Sequence, residues 1–280
     1  MLDKTEHFVT SGRFGQPGYH SLADVPQRGS VAEISVGTGW WELDQIWKIY
    51  PGQFTVVTGI AGQGKSTFLL NVIGNLAREY RINSFLYVPE NEGHIREKME
   101  LLWGEKEGFE EFSQHQCFIQ SAAPTHYDDR PKTLQWVLDR AEIAVERDDV
   151  AVLLIDPWNE LERAKPRDMT VTDYIGECLM YLKQFCRSRN VAVILVAHPT
   201  KAGVEQGKTP GLSDIEGSMN WFNKCDNGLI VTRDPEKPTS RVISAKVREI
   251  GAGKRGVCYF HVDESTGLFT PQHGGVHDGI

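Results

Sequence analysis

Two kinds of apolar segment alternate along most of the chain. Phe54–Thr58, Ser84–Val88, Val150–Ile155 and Val191–Ala197 are short runs in which nearly every side chain is apolar. Such runs predict strands buried on both faces, as in a parallel sheet. Between them, Phe68, Leu69, Val72, Ile73 and Leu76 recur within Lys65–Tyr80 at the spacing of one buried helix face. Leu134, Val137, Leu138, Ala141 and Val145 mark a second helix and Tyr174–Arg189 a third. Strands and helices in alternation predict an α/β fold, a mostly parallel sheet flanked by helices. Toward the C-terminus the rhythm changes. Gly228–Thr232, Arg241–Val247 and Val257–Val262 follow one another with short turns and no helix between them, which predicts antiparallel strands added to the sheet. Residues 1–35 are polar and rich in Gly, Ser and Pro, without sustained periodicity, and are expected to form an N-terminal arm. Residues 36–270 are expected to be the folded domain and 271–280 a frayed tail.

Composition narrows the function classes. Thirty basic against 38 acidic residues give a net charge of -8, which excludes a generally basic, DNA-coating protein. Neither of the longest apolar runs approaches the roughly 20 residues that a membrane helix needs. The first 20 residues lack an apolar signal core, so a cytoplasmic protein is expected. Five cysteines with no Cys-x-x-Cys pair, and histidines without ligand spacing, argue against a disulfide framework and against zinc.

The sharpest chemical signal is Gly59-Ile60-Ala61-Gly62-Gln63-Gly64-Lys65-Ser66, a full G-x-x-x-x-G-K-[S/T] phosphate loop placed between a predicted strand and a predicted helix. The glycines let backbone N–H groups curl around phosphates, and the helix N-terminus adds its positive dipole end. Lys65 is expected to reach the β- and γ-phosphates, Ser66 to sit on Mg²⁺, and Thr67 to meet the α-phosphate of ATP or another NTP. Asp156, ending the apolar run Val150–Ile155, is the expected magnesium carboxylate; a turn-forming Asp before Pro157 is the bland alternative. Pro89-Glu90-Asn91-Glu92 brings carboxylates to the end of another strand, the edge where open α/β sheets bind ligands. Glu90 is the first choice for the hydrolytic base and Glu92 the second. His198, ending Val191–Ala197, is a polar group at the same edge that would report on the γ-phosphate.

Together these residues resemble the RecA-like motor domain of hexameric replicative helicases: DnaB, the mitochondrial helicase Twinkle and the helicase half of phage primase-helicases. The resemblance runs from about Thr38 to Phe269. It is carried by Thr38-Gly-Trp-Trp-Glu-Leu-Asp44, by Ile155-Asp156-Pro157-Trp158-Asn159-Glu160-Leu161, by Ala197-His198-Pro199-Thr200-Lys201 and by Leu212–Ser218 followed by Cys225-Asp226-Asn227. The Asp-Pro-Trp-Asn form looks like phage and prophage members. The resemblance implies a RecA-like P-loop NTPase core, with Glu90 in the place of the catalytic glutamate. Lys246-Val247-Arg248 matches the Lys-x-Arg pair that this family donates across a subunit interface as its arginine finger. Outward-facing charges on an alternating strand are the plain alternative. Arg233 resembles the residue that packs on the nucleotide base. Lys201 and Lys208 lie in the stretch that corresponds to the central-channel DNA loop, where an ordinary solvated loop is the alternative.

The function implied is an ATP-dependent, ring-forming DNA helicase motor, with single-stranded DNA, further copies of itself in a hexameric ring, and a primase or loader as partners. A bacterial or phage-encoded protein is expected, and residues 1–35 then read as an inter-subunit linker. Two other readings stay open: a RecA-like recombinase or loader ATPase, and a nucleotide-gated oligomeric scaffold.

Overall fold

A computed structural model describes residues 29–104, 107–123, 129–204, 208–217, 219–234 and 236–272. The elements, in chain order, are α1 (Val31–Ile34), α2 (Trp41–Asp44), β1 (Phe54–Thr58), α3 (Lys65–Tyr80), β2 (Asn83–Tyr87), α4 (Ile95–Trp103), α5 (Phe109–His115) and β3 (Cys117–Ile119). They continue with α6 (Leu134–Asp148), β4 (Val150–Ile155), α7 (Val171–Arg189), β5 (Ala192–Val196), α8 (Lys201–Val204), α9 (Met219–Lys224), β6 (Asn227–Arg233), β7 (Thr239–Val247), β8 (Gly256–Val262) and β9 (Phe269–Pro271).

Among the described residues the strands form one sheet in the order β3-β2-β4-β5-β1-β6-β7-β8-β9. Pairing is parallel from β3 to β6 and antiparallel from β6 to β9. The expected fold class is therefore the observed one. The apolar runs are explained by a core on each side: Val57, Leu154 and Ile194 pack with α3 on one face, and Val56, Ile155 and Val193 with α6 and α7 on the other. The predicted face of α3, Phe68, Leu69, Val72, Ile73 and Leu76, is wholly buried.

Three helices return directly into strands through residues in the left-handed region: Arg81 after α3, Asp149 after α6 and Asn190 after α7, with φ of 53°, 50° and 58°. Each breaks the helical trajectory, so that β2, β4 and β5 begin within two residues. At its start, α7 is capped by Thr170, whose hydroxyl accepts from the Asp173 N–H at 3.1 Å.

The domain ends differ from the sequence expectation. The last turn of the expected arm is α1, whose Ile34 packs with Tyr50 and Ala252. Thr270 and Pro271 lie in β9, opposite His261 and Phe260, so the strand runs past residue 270, where the domain was expected to end. The cause is aromatic packing: the Phe269 ring sits 5.6 Å from that of Phe68 and 5.7 Å from that of Phe260, fixing the chain as an edge strand. The rest of the expected arm and tail, residues 1–28 and 273–280, lies outside the described residues.

Candidate active site

β1 lies in the middle of the sheet, between β5 and β6, and delivers the phosphate loop to the carboxyl edge. At Gly59, φ is 142° and an added Cβ would stand 2.1 Å from the Val231 carbonyl oxygen, so only glycine lets the loop leave the sheet there. At Gly62, φ is 75° and an added Cβ would meet nothing within 4 Å, so this glycine serves conformation on the open, phosphate side. Lys65 begins α3 and is 4% exposed. Its ammonium donates to the carbonyls of Gly59 and Ile60, at 2.9 Å each. Burial pulls its pKa below the usual lysine value, against the opposing fields of Asp156 and Glu90.

Asp156 follows β4 and is 3% exposed. One of its carboxylate oxygens is buried without a hydrogen-bond partner, while Ser66 bonds to the group. Burial holds the carboxyl above the usual range, despite the Ser66 hydrogen bond and the charge of Lys65. A buried oxygen short of a partner, beside a hydroxyl at the mouth of a phosphate loop, fits a magnesium ion, which Asp156 and Ser66 would hold. Among the described residues no group of three or more His, Cys, Asp and Glu could hold a metal ion.

The charged form of Asp156 strains the nucleotide-free fold. A raised carboxyl pKa means that the folded state binds more protons than the unfolded one, so this contribution to stability is lost as pH rises from about 3.8 through the folded value. Asp156→Asn is therefore expected to raise the melting temperature at pH 7 in the absence of nucleotide. The gain should vanish as the melts are taken down toward pH 4. A melting temperature lowered at pH 7 would contradict this.

Two carboxylates stand at the end of β2 and differ in their engagement. Glu92 accepts the Ala122 N–H at 2.8 Å, which anchors the chain beyond β3. Glu90 is exposed, and its charge acts on both Lys65 and Asp156. Of the two, Glu90 stands among the phosphate-loop groups. His198, beyond β5, has its backbone N–H on the Asn159 side-chain oxygen at 3.1 Å, and its ring Nδ1 is buried without a partner. Burial and the charge of Lys65 depress its pKa below 6.5, so the ring is a neutral imidazole at pH 7. Asn159 escaped the sequence reading as a positioning group, although it lies within the Asp-Pro-Trp-Asn string.

Beside Ala61, Gly62 and Gln63 opens a cleft of about 880 Å³, whose far wall is Arg233 and the β8–β9 turn. Arg233 pairs with Glu264 at 2.7 Å. In that turn, N–H groups of Ser265 and Thr266 and the Ser265 hydroxyl hold the Asp263 carboxyl down to about 2. The wall is joined to the phosphate-loop helix by Asn71. Its amide donates to Thr67 O at 2.8 Å and Gly267 O at 3.1 Å, and its oxygen accepts from the Phe269 N–H at 3.1 Å.

Other predicted residues lie apart from this cluster. Thr58 at the phosphate-loop end of β1 is level with Ile230, whereas Lys246 is level with Gly228 at the opposite end of β6. There Lys246 donates to the carbonyls of Phe222, Asn223 and Cys225, and Arg248 to those of Asn223 and Cys225. The pair caps the carbonyl end of α9, as suits cations at a helix C-terminus. Lys201, at the start of α8, and Lys208 are exposed. Their segment leaves the domain at a neck formed by the Pro199–Ile215 bridge and a hydrogen bond from Thr200 N–H to Asp214 O. Residues 205–207 of that segment, and Ser218, lie outside the described residues.

A family profile described as an AAA domain matches residues 42–204. The "Twinkle homolog protein, chloroplastic/mitochondrial" of Arabidopsis thaliana is 32% identical over 259 residues, covering 85% of this chain and 36% of the plant protein. The chain thus spans about a third of that relative. Among solved structures, one described as an ATPase domain superposes with a TM-score of 0.71 at 20% identity, over 85% of this chain and 91% of the other. A DnaB-like replicative helicase, described with its interactions with primase, gives 0.70 at 19% identity, over 84% and 61%. No described helix is long and apolar enough to cross a membrane.

Proposed function

The chain belongs to the AAA-domain family and has the RecA-like fold of replicative-helicase motor domains, and on that premise we propose that it is an ATP-driven motor that assembles into a ring and translocates on single-stranded DNA, unwinding duplex ahead of it. The observation that carries this reading is the placement of Arg248, with Lys246 beside it on the same carbonyls, at the Phe54 end of β1, away from their own phosphate loop. A pair so placed serves a nucleotide only when a second copy brings it there.

In the proposed cycle the phosphate-loop N–H groups and Lys65 hold the triphosphate, with Lys65 exchanging the Gly59 and Ile60 carbonyls for phosphate oxygens. Ser66 and Asp156 would hold magnesium, which when bound neutralises charge between the β- and γ-phosphates. Glu90 orients and deprotonates the attacking water. His198 senses the γ-phosphate with its neutral ring, and Arg233 lies against the base. The neighbour's Lys246 and Arg248 complete the charge stabilisation of the transferring phosphoryl group. Lys201 and Lys208, repeated around a pore, would concentrate positive charge on the DNA backbone that one acidic subunit does not display. A hexamer, a primase or loader partner, and a bacterial or phage-encoded setting in the cytoplasm complete the proposal.

The test is ATP turnover across a protein concentration series, with and without single-stranded DNA. The expected result is a steep, cooperative rise with concentration and a further rise with DNA. A rate per subunit indifferent to both would replace the motor with a nucleotide-gated scaffold. A rise with DNA accompanied by open filaments in electron micrographs would replace it with a recombinase-type ATPase.

A further inference from the structure

Asp226, between α9 and β6, is a carboxylate only 3% exposed, with a partner on each of its oxygens. One oxygen takes the Lys183 ammonium at 2.9 Å and Arg248 Nε at 3.2 Å. The other accepts the Phe54 N–H at 3.1 Å, and the Asp226 N–H donates to Phe54 O at 2.8 Å. Phe54 is the first residue of β1, the strand that ends in the phosphate loop. From these contacts we infer that Asp226 is the positioning residue for Arg248, and that through it the strand feeding a subunit's own phosphate loop sets the finger that the subunit presents to its neighbour. The inference rests on the trans role of Arg248 given above.

The division of the guanidinium supports it. Its Nε edge faces a buried charge, while its terminal NH₂ rests on the carbonyls of Asn223 and Cys225. A planar fork held on one edge by a carboxylate keeps its direction when the other edge changes partner. Phosphate oxygens can therefore displace the two neutral carbonyls without releasing the seat. The charge balance points the same way. Lys183 and Arg248 share the single Asp226 carboxylate, while Lys246 beside them rests on carbonyls at the end of α9 and over the Phe222 ring. One carboxylate held by two cations leaves the outer edge of the guanidinium attractive to an incoming anion. Asp226 binds Phe54 at the end of β1 away from the phosphate loop, so its action is on geometry.

The discriminating measurement is the gain in ADP retention on adding aluminium fluoride, a mimic of the transferring phosphoryl group, in the assembled full chain. Asp226→Asn is expected to lose at least about tenfold of that gain while binding ADP alone as the wild type does. Asp226→Asn combined with Arg248→Ala is expected to be no worse than Arg248→Ala, because the two act through one group. Should the Asn variant not fold, Asp226→Glu keeps the charge, shifts it by one methylene, and is expected to lose part of the gain. A wild-type gain in a folded Asp226 variant while Arg248→Ala loses it, or losses that add in the double variant, would overturn the inference alone. A full gain in Arg248→Ala would overturn the trans reading, and the inference with it.

Discussion

Arg248→Ala is expected to lower ATP turnover about a thousandfold, the order at which arginine fingers act on phosphoryl transfer. ATP binding should change little, because Arg248 lies across the sheet from the phosphate loop of its own subunit. The defect should also be repairable by another subunit. Lys65→Ala leaves Lys246 and Arg248 intact but removes the ammonium that cradles the phosphates. A mixture of the two inactive variants therefore contains rings in which an intact phosphate loop stands beside an intact finger. Basal turnover without DNA should rise above that of either variant, with a maximum at an intermediate ratio. No recovery at any ratio would mean that Arg248 acts within its own subunit or not on phosphate at all.

Glu90→Gln is expected to reduce turnover by about 10²–10⁴-fold, the range for loss of a general base. Gln keeps the size and the hydrogen bonding but cannot take a proton. Nucleotide affinity should be unchanged or slightly higher, since a negative charge near the phosphates is removed. Glu92→Gln is the informative contrast. Its carboxylate is occupied by the Ala122 N–H, a bond that a Gln side-chain oxygen also accepts, so turnover should stay within about twofold of wild type. Equal losses in both variants would move the base assignment away from Glu90.

The phosphate loop was legible because its chemistry is contiguous: eight residues carry the glycines, the lysine and the hydroxyl. Strands β1 and β4 were legible to the residue because both of their faces are buried, which makes β4 wholly apolar and leaves only two threonines among the apolar residues of β1. β3 was not, since its three residues are only half-buried or exposed at the sheet edge and carry no pattern. Helices α4 and α5 also escaped, although Ile95, Met99 and Leu102 are spaced for one face, because the charged residues between them dominate the composition. The supporting groups were illegible for a different reason. Asn71 meets Gly267 across 196 residues, and Asp226 meets Phe54 across 172. Nothing local distinguishes such an Asn or Asp from one that forms a turn. The Lys-x-Arg string was readable, but that it faces away from its own phosphate loop follows only from the β6–β7 register.

The position of β1 in the sheet bears on how the chain matures. β1 is synthesised early, yet its neighbours on both sides come from residues 192–196 and 227–233, and the cleft wall is pinned to α3 by Gly267 and Phe269. Pairings this distant in sequence form slowly, after the intervening chain exists. A nascent chain that displays the complete Gly59–Ser66 string therefore still lacks a nucleotide site, and the apolar edges of β1 stay unpaired until β6 arrives. On the proposed function, ATP would favour finished domains over partial ones by mass action, and nucleotide supply would then select for completed chains during synthesis.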